Sequence, residues 1–481
     1  MFSIRPIAFI LGSVLSKLAL FMWLPTLLAL STDGASFQEF LLATLLTHIA
    51  ALLFWLMGRG TKVQLRVKEM FLLTTLVWLS VCLFGALPFI FISHISFTDA
   101  FFETMSGVTT TGSTILTDLA HTPSPILLWR SILQWLGGVG FIVAAVAILP
   151  NLNVGGMKLF QTESSDWSDK SAPRAATMAK RIVVLYVTLT FACVLSYYLL
   201  SNMNGFEAIN HAMATLSTGG FSTSDKSMNN FSVGAHWVSI VFMLVGGLPF
   251  LLMVYSLQQR NFHLFKDAQV RGFFILLLVS GAILSLYLSL TERYFWTDAI
   301  RISLFNLVSV ITTTGFSLED FGGWGAFPLL LFGLLMACGA CSGSTAGGFK
   351  IFRFQVGMAL FKKQLYLLIH PRAMVGQRYN GRHLDDGIVR SLITFIFGYF
   401  ATIVLLALLL ALVSLPPQVA ISAAITAVAN VGPGIGDLIG PNGNFASLPD
   451  SAKWLLAMGM LMGRLEIMTV MVLLFPRFWR S

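Results

Sequence analysis

Four short stretches rich in threonine and glycine hold the chemistry this chain can perform. The first is Thr109-Thr110-Thr111-Gly112, and Thr312-Thr313-Thr314-Gly315 repeats it. Ser217-Thr218-Gly219-Gly220 and Asn430-Val431-Gly432 are looser copies. What each offers is backbone. Glycine admits conformations closed to other residues, so a strand that contains one can turn its carbonyls toward a common axis. Rings of carbonyls replace the water shell of a cation. A single Thr-Gly turn reads equally as a helix break kept for packing, since glycine is common in membrane helices. Four copies in one context favour the ring.

Those turns need elements that deliver them to one place. Each follows a short apolar run, beginning near Thr98-Asp99, Phe206-Glu207, Thr297-Asp298 and Pro417-Gln418, and precedes a polar loop and a long apolar span. Gly112 lies 13 positions after Asp99 and Gly220 13 after Glu207, while Gly315 lies 17 after Asp298, one helical turn more. A run of about 11 helical residues rises roughly 16 Å, half a bilayer. The pattern predicts half-helices over 98–109, 206–217, 297–312 and 418–430 that enter the membrane, stop midway and return as extended backbone. Backbone of that kind is tolerated at such depth only within protein or along water. Helix C-termini aimed at one point add partial negative charge there. All four lie on the same side of the membrane. Parallel repeats suit a central axis, whereas inverted ones would point to a rocking carrier.

Composition agrees with this setting. At 481 residues, 56% hydrophobic and 11% charged, the chain reads as an all-α polytopic membrane protein. About ten full crossings are expected, over 5–30, 37–57, 70–93, 126–149, 180–201, 236–257, 272–290, 327–349, 390–414 and 452–475. The first is too long for a signal segment and reads as a retained helix. The expected organisation is a two-helix segment over 1–60 and four membrane–half-helix–membrane repeats around a pore, over 61–165, 166–265, 266–380 and 381–481. With the N-terminus inside, Lys and Arg gather in cytoplasmic segments at every loop, and both termini are cytoplasmic. Arg130, Lys226, Arg293, Arg301 and Lys453 fall outside. The net charge of +9 is therefore topological and does not indicate nucleic acid. Acids including Asp99, Glu103, Asp118, Glu207, Asp225, Asp298 and Asp437 fall on the outer side. There they concentrate cations or cap half-helices. Cys82, Cys193, Cys338 and Cys341 sit in apolar stretches, which argues against a disulfide framework.

Below the third turn the expected span is interrupted by Cys338-Gly339-Ala340-Cys341-Ser342-Gly343-Ser344-Thr345-Ala346-Gly347-Gly348. Such small residues hold a helix poorly, so the stretch is either a kink or a flexible constriction. Cys338 and Cys341 have no companion pair for a metal site, and Lys350 does not follow the second glycine as a phosphate loop requires. Arg464 lies deep in the last span, where an arginine faces a cavity or a partner. Glu466 is nearby but two positions on, on another helix face. No catalytic triad, zinc signature or nucleotide fingerprint occurs. A carrier would need a polar midplane pocket and an enzyme clustered titratable side chains, so neither suits the repeats.

With these motifs in view, the chain resembles the Trk/Ktr/HKT superfamily of potassium transporters over essentially its whole length, in particular the TrkH type. The resemblance rests on Thr-Thr-Thr-Gly at 109–112, Ser-Thr-Gly-Gly-Phe-Ser-Thr at 217–223, Thr-Thr-Thr-Gly-Phe-Ser at 312–317 and Asn-Val-Gly-Pro-Gly at 430–434. It implies a potassium filter formed by Thr110, Thr111, Gly112, Thr218, Gly219, Gly220, Thr313, Thr314, Gly315, Asn430, Val431 and Gly432. Gly219 or Gly220 could be the second filter glycine; Gly220 precedes Phe221 as Gly315 precedes Phe316. Glycine at all four positions, with no serine at the first, favours potassium over sodium. The resemblance further implies a gate made by Gly339, Gly343, Gly347, Gly348 and Arg464, and a homodimer in the lipid of the bacterial inner membrane. A cytosolic TrkA-like nucleotide-binding ring would control it. The implied cargo is K+, with no organic cofactor; channel-like and proton-coupled flux both remain open.

Overall fold

The computed structural model describes residues 4–32, 34–61, 65–147, 171–261, 263–373 and 376–480. It begins with α1 (Ile4–Thr32) and α2 (Gly34–Gly58). These run antiparallel, with Gly12 against the backbone of Trp55 and Gly58 against Phe9. The remainder repeats one unit. First come α3 (Val67–Gly85), α4 (Leu87–Ser93), the half-helix α5 (Phe97–Val108) and α6 (Ser124–Ala147). The second unit has α7 (Ser171–Leu200), the half-helix α8 (Gly205–Leu216), α9 (Val233–Gly246) and α10 (Phe250–Gln259). The third has α11 (Ala268–Leu290), the half-helix α12 (Trp296–Ile311), α13 (Ala326–Ala337) and α14 (Ile351–Ile369). A hairpin of β1 (Arg378–Tyr379) and β2 (Arg382–His383) leads to the fourth, α15 (Asp386–Leu412), the half-helix α16 (Pro417–Ala429), α17 (Asp450–Arg464) and α18 (Met468–Leu474). The short α19 (Pro476–Trp479) closes the chain.

The half-helices begin and end within one residue of the sequence expectation. Ser96 accepts a bond from Asp99 N, and Asn204 forms a capping box with Glu207. Pro417 opens α16, where a missing N–H costs nothing. Asp99, Glu207 and Asp298 thus occupy the first turn and are not themselves the caps; their charge still complements the helix dipole there. All four half-helices are buried along most of their length.

Of the roughly ten expected crossings, more are broken than the sequence suggested. Among the described residues seven helices are long and apolar enough to cross a membrane, or nine if each of two bent pairs is one span. The chain after the half-helix breaks in three units, where a break was expected in one. α9 and α10 meet at 89°, across Gly247-Leu248-Pro249, because Pro249 has no N–H to continue the helix. α13 ends at Ala337 and the chain resumes as α14 only at Ile351. α17 and α18 meet at 119°, with Glu466 at φ 59 and Ile467 at φ 27. The end of the span drawn over 126–149, the boundary at 165 and the bases Lys62, Lys158 and Lys170 lie outside the described residues.

In the first and fourth units glycine lets the helix after the half-helix touch that half-helix's end. A Cβ on Gly137 of α6 would collide with the carbonyl oxygen of Val108, and one on Gly463 of α17 with that of Val428. Both carbonyls lie four residues before the turn glycine of their own unit. Adding bulk at such a contact costs about 1–3 kcal/mol. Gly463→Ala should therefore lower the melting temperature of the purified protein in detergent. Gly140→Ala, which meets open space, should leave it unchanged or raised.

Candidate functional site

At the end of each half-helix the backbone reverses in one way. Thr110, Thr218, Thr313 and Asn430 stand at φ 54, 51, 55 and 55. Two residues later Gly112, Gly220, Gly315 and Gly432 stand at φ 87, 78, 83 and 108. Between them Thr111, Gly219, Thr314 and Val431 donate N–H to the carbonyls of Ser106, Ala214, Ser309 and Thr426, at 2.8, 2.9, 2.8 and 3.0 Å. The register of the second copy follows: Gly220 matches the other three glycines in conformation, and Gly219 takes the place of Thr111 and Thr314. Left-handed backbone at a non-glycine residue costs on the order of 1–3 kcal/mol, so four in register mark a conformation the fold imposes.

The four turns close on one another in chain order. A Cβ on Gly112 would run into the carbonyl oxygen of Gly219, on Gly220 into that of Thr314, on Gly315 into that of Val431, and on Gly432 into that of Thr111. Glycine and carbonyl oxygen therefore alternate around a closed ring, the fourth copy returning to the first. Such a ring presents oxygen without a charged side chain, the chemistry that substitutes for the hydration of a cation. Among the described residues no cluster of His, Cys, Asp and Glu suits a bound metal ion.

Side chains buttress the ring from behind. Thr109 and Thr111 hydroxyls bond at 2.7 Å, and Thr312 and Thr314 at 2.8 Å. Asn430 Nδ2 donates to Thr111 Oγ1 at 2.9 Å, which joins the fourth copy to the first. Farther back, residues nine positions before the turn glycines reach the returning strand. Glu103 accepts from Ile115 N at 2.9 Å, His211 Nε2 meets Ser222 Oγ at 3.0 Å, and Asn306 accepts from Leu318 N at 3.3 Å. The shared spacing is the sequence signal that could have identified this set.

Glu103 was expected at the outer mouth. It is instead fully buried and paired with Arg130 Nε at 2.8 Å. Arg130 also donates to Thr114 Oγ1 and to the Ser222 carbonyl, each at 3.1 Å, and lies over the Phe221 ring. It ties the returning strands of the first two copies together, and an acid buried to satisfy an arginine no longer draws ions. Asp225 is the carboxylate that lines the cavity above the ring, alongside Gly112, Gly220, Gly315 and Gly432. Asp99 and Asp118 line a separate cavity.

On the opposite side, toward the half-helix C-termini, the ring is covered by the loop between α13 and α14. Thr345 Oγ1 donates to the carbonyls of Leu216 and Gly246 at 3.1 and 2.9 Å. Gly347 N donates to Thr313 Oγ1 at 2.7 Å, directly under the ring. Gly339 packs on Gly348, while Gly343 has open space around it. Ser344, Thr345 and Ala346 are fully buried because the loop fills the gap left by broken helices. Arg464 donates to the Thr345 carbonyl at 2.8 Å and lies 4.2 Å from the centre of the Phe141 ring. The direct pair with Glu466 does not form: Glu466 turns to Arg353 of α14. Lys350, bonded to the Ala346 carbonyl, adds a second buried cation beside Phe141.

Residues 36–480 match the family described as TrkH, cation transport protein. The Trk system potassium uptake protein TrkI of Halomonas elongata is 45% identical over 99% of this chain and 97% of its own length. The Trk system potassium uptake protein TrkH of Vibrio parahaemolyticus is 36% identical over 99% of each chain. The crystal structure of the potassium transporter TrkH from that organism superposes with a TM-score of 0.91 at 33% identity, over 99% of this chain and 100% of that one.

Breaking a buried ion pair by removing one partner costs about 3–5 kcal/mol, whereas an exposed pair is worth about 1 kcal/mol or less. Glu103→Gln should accordingly produce a large drop in melting temperature in detergent. Asp298→Asn, which breaks the partly exposed pair with Arg301, should produce little.

Proposed function

The chain belongs to the TrkH family of cation transport proteins, and on that footing we propose that it takes up potassium across the bacterial inner membrane through the four-copy ring. The closed alternation of glycine and carbonyl oxygen carries this reading. Full-length relatives bear the name potassium uptake protein, in keeping with it. The filter comprises Thr110, Thr111 and Gly112, then Thr218, Gly219 and Gly220, then Thr313, Thr314 and Gly315, then Asn430, Val431 and Gly432. An arriving ion exchanges water for their carbonyl oxygens, and the partial negative charge at four half-helix C-termini lowers its energy at the inner end.

Flux is restrained by the loop with Gly339, Gly343, Gly347 and Gly348, and by Arg464. A positive charge 6 Å from a passing cation repels it by roughly 3 kcal/mol at an effective dielectric of about 20. That slows passage about a hundredfold. Loop and arginine hold each other through the Thr345 carbonyl, so one displacement removes both the steric plug and the anchor of the charge. The working form is a homodimer whose loop is released by a TrkA-like nucleotide-binding ring on the cytoplasmic face, where both termini lie. The Trk-system names of the relatives support a complex of this sort.

Two measurements test the reading. Gly112→Ser and Gly315→Ser should each lower potassium over sodium permeability in proteoliposomes, since a side chain there displaces a neighbouring carbonyl; an unchanged ratio in both would defeat the filter assignment. Arg464→Ala should raise radioactive rubidium flux per folded protein, in the absence of any cytosolic partner, by up to about a hundredfold. Equal or lower flux would assign Arg464 to structure alone.

A further inference from the structure

Three of the four turns carry a side chain just before the turn glycine, namely Thr111, Thr314 and Val431, whereas the second carries Gly219. In the first and third copies that side chain bonds within its own turn, to Thr109 and Thr312. The second copy has no such bond, and Ser217 Oγ donates instead to the Ala214 carbonyl at 3.1 Å. The vacated room is taken by a residue from another element. Gln134 of α6 is fully buried, donates from Nε2 to the Gly219 carbonyl, and accepts from Phe221 N at 3.1 Å through Oε1. A Cβ on Gly219 would fall on the amide carbon of Gln134. Glutamine and the absent threonine therefore exclude each other.

The carbonyl that Gln134 holds is the one that abuts Gly112, a member of the ring. A carbonyl oxygen has two lone pairs, and here one is committed to an amide donor. We infer that Gln134 is a positioning residue of the filter. It replaces the threonine missing from the second copy and sets the direction of the Gly219 carbonyl. The inference rests on the ring being the ion filter.

The test compares potassium-to-sodium permeability ratios in proteoliposomes, per folded protein recovered from size-exclusion chromatography. Gly112→Ser serves as the reference for the filter itself. Gln134→Met removes both hydrogen bonds at similar volume and should lower the ratio about three- to tenfold, the worth of the one bond that reaches the ring carbonyl. Gly219→Thr alone collides with Gln134 and should lower the ratio or the folded yield. The pair Gln134→Ala with Gly219→Thr opens the room and supplies a hydroxyl beside Ser217, so it should recover a ratio close to that of the unaltered protein. A wild-type ratio in Gln134→Met alongside a lowered one in Gly112→Ser would reduce Gln134 to packing and overturn the inference. So would a paired variant whose ratio stays as low as that of Gln134→Met. An unchanged ratio in Gly112→Ser would overturn the filter reading and the inference together.

Discussion

Backbone polar groups at the middle of a membrane have no water to bond with, and each one left alone costs several kcal/mol. The whole architecture answers this constraint. Four half-helices end at mid-depth, and three of the helices that follow them break near the same level. The breaks satisfy one another. The loop of the third unit offers Gly343 O to Phe250 N, takes Gly247 O with Cys341 N, and binds the last carbonyls of α8 and α9 through Thr345. Irregular backbone becomes affordable in quantity because its donors and acceptors are concentrated in one place.

The units share a backbone and differ in what supports it. The left-handed residue, the bond five residues back and the turn glycine recur in all four. Behind them stand Glu103, His211, Asn306 and Ala423 at matching positions, so the supports run from a buried ion pair to a methyl group. Coverage on the side of the half-helix C-termini is equally uneven: the loop comes from the third unit and Arg464 from the fourth. Near-symmetry closes a ring, and departure from it places one segment against that ring from one side.

Charge is arranged to match. Above the ring the buried arginine is neutralised by Glu103, and Asp225 lines the cavity. Beneath it Lys350, Arg353 and Arg464 are buried with Glu466, and Glu466 serves Arg353. The ring therefore has a cavity lined by a carboxylate on one side and an excess of buried positive charge on the other. In a low-dielectric setting that difference weighs far more than the same charges would at the surface.

Much of this was written locally in the chain. The half-helices, the four turns, the N-terminal pair and the loop after Ala337 depend on hydrophobic runs, first-turn acids and glycine placement. These act over a few residues and recur, so repetition made them legible. Gly247-Leu248-Pro249 also carried a readable signal for the second broken helix, in a proline that cannot donate. Other features had none. The reversal at Leu465-Glu466-Ile467 contains neither glycine nor proline and depends on Arg353, far off in sequence, drawing Glu466 aside. The burial of Glu103 depends on Arg130 arriving from α6. The approach of Gln134 to Gly219 depends on α6 arriving from the first unit. Local sequence determined which backbone could turn at mid-membrane. Only packing between units decided which oxygens face one another and which charges are paired, because those partners are brought together by the fold and not by their order in the chain.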